Sequence, residues 1–247
     1  MQMTTHASRL IAATLLALTG ATAAATPLFN AALGTLPSAQ GWLTTAAGGP
    51  YQETAVPNGA YTFDTTSDRL TSAGSARFFQ PQLDTANGFT LSFSLKVLSE
   101  WHTDDQRAGF SVLFNGLDPD HGLELAFRAD QIWAYDADFT HRTSVAFDTT
   151  ALTDYTLVVT NARYAFYGNG NTPLSGALAH YDNSASVVYS VPGLLFFGDD
   201  TTRAGAKVEI GQISLAPAAP QSVPEPGTLT LLVGGLAALV AARARRR

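Results

Sequence analysis

Two polar, aromatic-rich stretches of the chain hold the residue types that proteins use to bind sugars. The stretches EWHTDDQRAGF and QIWAYDADFTHR contain Trp101, Arg107, Trp133 and Tyr135. An aromatic ring packs against the C–H face of a sugar, and a guanidinium donates hydrogen bonds to oxygen atoms. These four residues are therefore candidate glycan contacts. Two alternatives stay open. Trp101, Trp133 and Tyr135 are core residues in the first, and Arg107 forms an ion pair with Asp105 or Glu124 in the second.

Pairs of acids suited to hydrolysis are scarce. A retaining glycosidase holds two carboxylates about 5 to 5.5 Å apart, and residues two apart on a strand share a face. The nearest match is YDADF, with Asp136 and Asp138, and a polar strand end explains this pair equally well. The motifs Gly-x-Ser-x-Gly and His-Glu-x-x-His do not occur. We therefore predict no catalytic residues and a protein that is not an enzyme.

Two acidic pairs are candidate calcium ligands. Asp118 and Asp120 flank a proline in GLDPDHG, and Asp199 and Asp200 are neighbours in FFGDDTT. Calcium prefers carboxylate and carbonyl oxygens. Aspartate beside proline or glycine is also ordinary turn chemistry, so both interpretations stay open. No other cofactor is indicated.

Charge and cysteine content exclude several classes of function. The 247 residues include no cysteine, which excludes disulfides, thiol catalysis and cysteine metal sites. The chain has 14 Lys and Arg and 20 Asp and Glu. Five of these basic residues and one acidic residue belong to the terminal segments, which leaves a middle domain of net charge near −10. Such an acidic domain repels nucleic acid, so we predict no nucleic-acid partner.

Hydrophobic residues alternate with a period of two along the middle of the chain. In TLSFSLKV the residues Leu91, Phe93, Leu95 and Val97 share one face. The stretches LELAFRA, DYTLVVT and YAFYGNGN repeat this pattern, whereas GLLFFGDD is apolar on both faces. Strand patterns separated by Gly-, Asn- and Asp-rich turns predict an all-β, antiparallel sandwich.

The stretch KVEIGQISL contains a change of parity. Val208 and Ile210 share one face of a regular strand, but Ile213 and Leu215 would lie on the other. A bulge at Gly211 brings all four apolar residues to the same side. We therefore predict one kinked strand here.

Both ends of the chain have targeting features. Arg9 precedes an apolar run and Ala-x-Ala sites near residue 25, the layout of a secretory signal peptide at 1–25. Residues 217–226 form a Pro-rich linker. Residues 227–247 hold an uncharged apolar run followed by four arginines, which predicts a transmembrane helix with a cytoplasmic basic tail.

The residues Val223, Pro224, Glu225 and Pro226, the apolar run and the terminal arginines together resemble the PEP-CTERM sorting signal of exopolysaccharide-producing Gram-negative bacteria. The resemblance implies an exosortase-type processing enzyme as partner, which cuts near the Pro-Glu-Pro motif. We expect an exported protein that is held in the inner membrane facing the periplasm. Processing then delivers it to the cell surface or the exterior. A plain C-terminal membrane anchor is the alternative.

The strands between about residues 29 and 215 are similar to the concanavalin A-like lectin/glucanase superfamily, and most to its laminin-G-like, choice-of-anchor domains. The block FFGDDTTRAGA is the most specific part. The resemblance implies a jelly roll over residues 26–216. Glucanases of this superfamily use a Glu-x-Asp-x-x-Glu motif, and no Glu-x-Asp occurs here.

We therefore expect a non-catalytic envelope or matrix domain that binds extracellular polysaccharide or another polymer. A divergent glycan-cleaving enzyme and a purely structural surface protein are the alternatives.

Overall fold

The computed structural model describes residues 24–57, 59–118, 120–181 and 187–218. The predicted signal peptide as far as residue 23, the sorting motif at 223–226 and the predicted helix at 227–247 lie outside these ranges. Within them, no helix has the length and apolar character that a membrane span requires.

Most of the described chain is β-strand. The strands are β1 (Thr26–Asn30), β2 (Leu43–Ala47), β3 (Gln52–Ala55), β4 (Tyr61–Asp64), β5 (Ser72–Arg77), β6 (Phe89–His102), β7 (Ser111–Asn115), β8 (Gly122–Phe127), β9 (Gln131–Tyr135), β10 (His141–Ala146), β11 (Thr153–Thr160), β12 (Arg163–Gly168), β13 (Asn171–Ala177), β14 (Leu195–Asp199) and β15 (Ala204–Pro217). Two 3₁₀ helices, Ala31–Leu33 and Pro37–Gln40, follow β1, and a one-turn helix, α1 (Val187–Ser190), precedes β14.

The strands form two antiparallel sheets that pack face to face. Sheet I has the order β13-β12-β11-β6-β15-β4-β3, and β1 also pairs with β15. Sheet II has the order β10-β9-β8-β7-β14-β5-β2. The predicted all-β, antiparallel sandwich of the jelly-roll kind is confirmed.

Aromatic rings fill the space between the sheets. On β6, the predicted inward residues Leu91, Phe93, Leu95 and Val97 are each at most 3% exposed. The ring centroids of four aromatic neighbours lie 5.3–6.2 Å from the ring centroid of Phe93. These neighbours are Phe127, Tyr155, Phe166 and Phe197. Because these rings come from both sheets, Phe93 is central to the contact between the sheets.

Strand β15 is a single strand that contains the predicted bulge. Ile210 pairs with Leu95 of β6, and Ile213 pairs with Phe93. Three steps along β15 therefore match two steps along β6, and one extra residue is accommodated next to Gly211. Val208, Ile210, Ile213 and Leu215 are all at most 3% exposed, which confirms the prediction.

Sheet II is covered on both faces. Every residue of β8 and β14 is buried, although only alternate residues of these strands point towards sheet I. On the outer face, Trp133 and Tyr135 of β9 pack with Tyr181, which follows β13. Leu113 and Phe196 pack with Val188 and other residues that precede β14. These segments form a second, smaller layer, called the outer layer below.

The position of Phe93 generates a prediction for stability. Replacing Phe93 with Ala leaves a cavity where rings from both sheets meet, so we expect the free energy of unfolding to fall by about 3–5 kcal/mol. Leu152 is 54% exposed, and Leu152→Ala is the control, with an expected change within about 0.5 kcal/mol. Urea unfolding followed by tryptophan fluorescence measures both, and equal losses would contradict this account.

Candidate functional site

An open cleft of about 370 Å³ lies at the margin of the outer layer. It is bordered by the loop after β6, the turn between β9 and β10, helix α1 and the loop between β14 and β15. The lining residues are Arg107, Phe139, Tyr189, Asp200, Thr201, Thr202 and Arg203. An aromatic ring, hydroxyls, a carboxylate and two guanidinium groups therefore face the same space.

A buried carboxyl group lies beneath the cleft. Glu124 of β8 is 0% exposed, and Ser111 Oγ donates to its Oε1 at 2.9 Å. The Tyr189 hydroxyl is 2.8 Å from Glu124 Oε2 and also bonds Asp200 Oδ2. One hydroxyl hydrogen cannot serve two carboxylates at once. A proton on Glu124 resolves this, since Glu124 then donates to Tyr189 and Tyr189 donates to Asp200.

The environment of Glu124 favours that proton. Burial and, secondly, the negative charge of Asp200 raise the pKa of Glu124 to about 8. Burial and the two neighbouring carboxyl groups also raise the pKa of Tyr189. Near neutral pH, burial and the neighbouring carboxylate therefore favour the protonated, uncharged form of Glu124.

Arg128 fixes the loop that carries Arg107. The Arg128 side chain is buried, and its Nη2 donates to the backbone carbonyls of Asp104 at 2.7 Å and Arg107 at 2.8 Å. Tyr135 adds a hydrogen bond from its hydroxyl to the carbonyl of Gln106 at 2.8 Å. The loop is thus clamped through its backbone, which leaves the Arg107 side chain available to the cleft.

The Arg107 guanidinium lies beside two aromatic rings. Its central carbon is 5.2 Å from the Tyr135 ring centroid and 5.4 Å from that of Phe139, within cation–π distance. Partial burial lowers the pKa of Arg107, but the nearby tyrosines and acids, Tyr135 and Asp200 first, outweigh this and raise it. Arg107 is therefore a permanent positive charge in the cleft.

A tight turn presents Phe139. Asp136 Oδ1 accepts hydrogen bonds from the backbone N–H groups of Asp138 and Thr140, both at 3.0 Å. Phe139 has a φ of 58°, a left-handed conformation that is unusual for an aromatic residue. Its ring stacks on Tyr181 at 5.4 Å and remains half-buried at the cleft.

Asp136 is used by this turn, and this weakens its predicted alternative role as a catalytic acid. The backbone hydrogen bond from Thr140 and further hydrogen bonds within the turn lower its pKa, although slight burial opposes them. A proton donor requires the opposite shift.

The prediction that Trp133 and Tyr135 contact a ligand directly needs correction. Trp133 is 0% exposed and Tyr135 is 1% exposed. The face of Trp133 is occupied by His141, at 4.1 Å between ring centroids, and by Arg128 at 5.1 Å. Stacking on a sugar requires an exposed ring face, so neither ring can contact a ligand directly. Both are core residues that lie beneath the cleft, which agrees with the alternative interpretation.

The four predicted glycan contacts do not form one surface. Trp101 lies on β6 of sheet I, where it pairs with Gly205, and Arg69 covers its ring at 5.1 Å. It does not line the cleft. Of the predicted group, Arg107 alone reaches the cleft, and among the described residues it forms no ion pair with Asp105 or Glu124.

The predicted calcium ligands have other partners. Asp118 Oδ1 accepts from the N–H of Asp120 at 3.0 Å, which is a turn hydrogen bond. Asp199 is buried and accepts from Thr65 Oγ1 at 2.7 Å, and burial raises its pKa to about 8. Asp200 bonds Tyr189 instead. No cluster of three or more His, Asp or Glu side chains suited to a metal occurs in the described ranges.

Sequence reasoning gave no role in a binding site to Phe139 or Tyr189, and it named Glu124 only as a possible ion-pair partner of Arg107. Glu124 left one signal, since it is an acid in the middle of an otherwise apolar strand stretch, LELAF. Phe139 and Tyr189 lie about 50 residues apart in sequence. Only the folded chain brings their rings to 4.8 Å.

Comparison with known proteins identifies the C-terminus. Residues 222–247 match the family model described as "PEP-CTERM protein-sorting motif". The chain carries a PEP-CTERM sorting motif. This motif is the recognition signal for exosortase processing, and it implies export with membrane-anchored sorting before processing. No curated protein matches the chain in sequence.

Solved structures resemble the sandwich. A carbohydrate esterase of the Shiga toxin-encoding bacteriophage phi24B is 14% identical with a TM-score of 0.57, over 78% of this chain and 99% of that chain. This identity shows a common fold alone. The binding domain of botulinum neurotoxin serotype D is 14% identical with a TM-score of 0.43, over 72% of this chain and 44% of that one. The corresponding domain of neurotoxin DC, in complex with SialylT, is 9% identical with a TM-score of 0.44, over 72% and 43%. The chain thus spans less than half of these toxin domains, and scores this low carry no weight for function.

The raised pKa of Glu124 generates a prediction for pH dependence. An acid whose pKa is higher in the folded than in the unfolded state favours folding when it is protonated. Stability should therefore fall as pH rises from about 4.5 to 8. Glu124→Gln keeps the shape and removes the titration, so the slope should decrease by up to about 1.4 kcal/mol per pH unit.

Chemical unfolding at several pH values measures this slope. Asp199→Asn is the companion variant. The pKa of Asp199 is raised in the same direction, but its carboxyl group bonds Thr65 rather than Tyr189. The combined variant should have the flattest profile. An unchanged slope in Glu124→Gln would show that Glu124 is ionised in the folded protein.

Proposed function

We propose that this protein is an exported envelope or matrix component whose β-sandwich binds a glycan without cleaving it. The observation that carries the proposal is the cleft, in which the half-buried ring of Phe139 lies beside Arg107, Asp200 and the hydroxyl of Thr202. A ring that packs on C–H groups, together with charged donors and acceptors for hydroxyls, is the combination that sugar recognition requires.

The size and openness of the cleft support a polymer ligand. Its volume of about 370 Å³ is at the small end of the range for ligand sites, roughly 300–1,000 Å³. The cleft is bordered by loops and opens to solvent, so a longer chain can pass through with a few units in contact. Binding of such a segment would depend on the few side chains that line the cleft.

The buried state of Glu124 supports a role without catalysis. A glycosidase acid must reach the glycosidic oxygen, whereas both oxygens of Glu124 are bonded inside the protein and the residue is 0% exposed. A divergent glycan-cleaving enzyme is the alternative. The closeness of Glu124 and Asp200 to one tyrosine hydroxyl is the observation in its favour.

The sorting motif supports the proposed location. We infer that the sandwich faces the periplasm while the C-terminal segment holds the chain in the inner membrane. An exosortase then cuts near the Pro-Glu-Pro motif at 224–226, and the domain reaches the cell surface or the exterior. Export brings the cleft to extracellular polysaccharide.

Glycan binding is tested with a matched pair of variants. Phe139 and Phe79 both have a left-handed φ, of 58° and 56°, and Phe79 does not line the cleft. Phe139→Leu removes the ring but keeps apolar volume, so we expect binding on a glycan array to weaken about tenfold, or ~1.4 kcal/mol. Phe79→Leu should bind like the unmodified protein.

Two results would refute parts of this proposal. Absence of binding to every polysaccharide on the array would refute glycan recognition and favour a purely structural role. Release of reducing sugar, lost in Glu124→Gln or in the double variant Asp136→Asn/Asp138→Asn, would show an enzyme instead.

Processing is tested by mass spectrometry of the exported protein. We expect the mature C-terminus to lie near residues 222–226, because we infer cleavage near the Pro-Glu-Pro motif. Replacing Pro224, Glu225 and Pro226 together with alanine should retain the basic tail. A mature, exported wild-type chain that ends at Arg247 would contradict the inferred processing.

A further inference from the structure

Arg107 has unused hydrogen-bonding capacity. A guanidinium has five N–H donors in a planar fork. In the described part of the chain, no side-chain or backbone acceptor receives a hydrogen bond from Arg107, and no carboxylate lies within ion-pair distance. Its two positively charged neighbours differ: Arg128 donates to two carbonyls, and Arg203 pairs with Asp104 at 2.9 Å. Arg107 is thus the one cleft arginine without an acceptor among the described residues.

The surroundings hold this guanidinium in place. The rings of Tyr135 and Phe139 are both within 5.4 Å of it, and the carbonyl of its own residue is clamped by Arg128. A side chain restrained in this way loses less conformational freedom when a ligand binds. The arrangement therefore favours a planar partner that accepts two hydrogen bonds side by side.

The nearby acids do not supply that partner. Asp200 Oδ2 is engaged by the Tyr189 hydroxyl, and Glu124 is bonded to Ser111 and Tyr189 below the cleft. Arg203 lines the same cleft, but its charge is paired with Asp104 at 2.9 Å. Within a domain of strongly negative net charge, the Arg107 guanidinium is thus the local site for an anion.

We propose that the cleft recognises a carboxylate carried by an acidic sugar, held by the Arg107 fork while the ring of Phe139 packs on the adjoining sugar. A carboxylate matches a guanidinium in two parallel, charge-assisted hydrogen bonds, whereas a neutral hydroxyl pair lacks the charge. This inference rests on the proposed glycan binding and names the ligand class: uronic-acid polysaccharides rather than neutral ones.

The acidic surface makes the interaction specific. Long-range repulsion by the domain opposes polyanions in general, so binding of an acidic polymer requires a local contact that outweighs it. We expect screening by moderate salt to leave binding intact or to strengthen it. A site that relied on diffuse attraction would weaken with salt.

The test compares each polymer with its own uncharged form. The probes are polygalacturonate and alginate, each beside the same polymer with its carboxyl groups reduced to alcohols, and dextran sulfate as a polyanion without carboxylates. The exported protein, in the form in which cells deliver it, is titrated by calorimetry. We expect at least one carboxylated polymer to bind about tenfold or more tightly than its reduced form, as a charge-assisted hydrogen-bond pair provides.

Three variants locate the effect. Arg107→Met should lower affinity for the carboxylated polymer about 10- to 100-fold and leave the reduced form within about threefold. Arg107→Lys keeps the charge but loses the fork, and it should restore only part of the affinity. Arg163 is an exposed arginine on β12, outside the cleft, and Arg163→Met should leave both affinities unchanged.

The outcomes separate this inference from the proposed function. Equal binding of carboxylated and reduced polymers, with both weakened by Phe139→Leu, would overturn the carboxylate inference and leave glycan binding in place. Dextran sulfate that binds as tightly as the uronate polymers would show a general anion site and overturn it too. Absence of binding to all probes and to the whole glycan array would overturn both.

Discussion

One phenol hydroxyl, that of Tyr189, lies between two carboxyl groups, and the outer layer of the protein depends on it. Glu124 lies on a strand whose two faces are both buried, where a charge without a partner is strongly unfavourable. A proton on Glu124 and the chain of hydrogen bonds to Tyr189 and Asp200 remove this cost. The same bonds join β8, helix α1 and the loop after β14, and so they fix one wall of the cleft.

The supporting layer and the contacting residues have separate roles. The aromatic residues that look most suited to sugar binding, Trp133 and Tyr135, are buried. Tyr135 and Arg128 hold the backbone of the loop that carries Arg107, and Trp133 packs against Arg128. The residues that line the cleft come from loops, a turn and helix α1. A rigid floor lets a loop side chain keep its position without a partner of its own, which is what a preorganised site needs.

The sorting motif and the proposed recognition site lie in different parts of the chain. The sorting motif at 222–247 implies export with membrane-anchored sorting before processing. The fold itself does not specify a ligand, because jelly-roll sandwiches carry many unrelated functions. The arrangement of side chains at the cleft is therefore the feature from which ligand chemistry follows.

The sequence by itself determined the class of fold, the inward face of β6, the bulge near Gly211 and the sorting motif. These are local features, since a period of two, a change of parity and a short motif are each complete within a few residues. The tertiary structure alone decided the cleft. Arg107, Phe139 and Asp200 are separated by tens of residues and meet only because the loop after β6, the turn between β9 and β10 and the loop after β14 border the same cleft. It also decided that Trp133 and Tyr135 are buried, because the pattern of a strand shows which residues share a face but not whether a second layer covers that face.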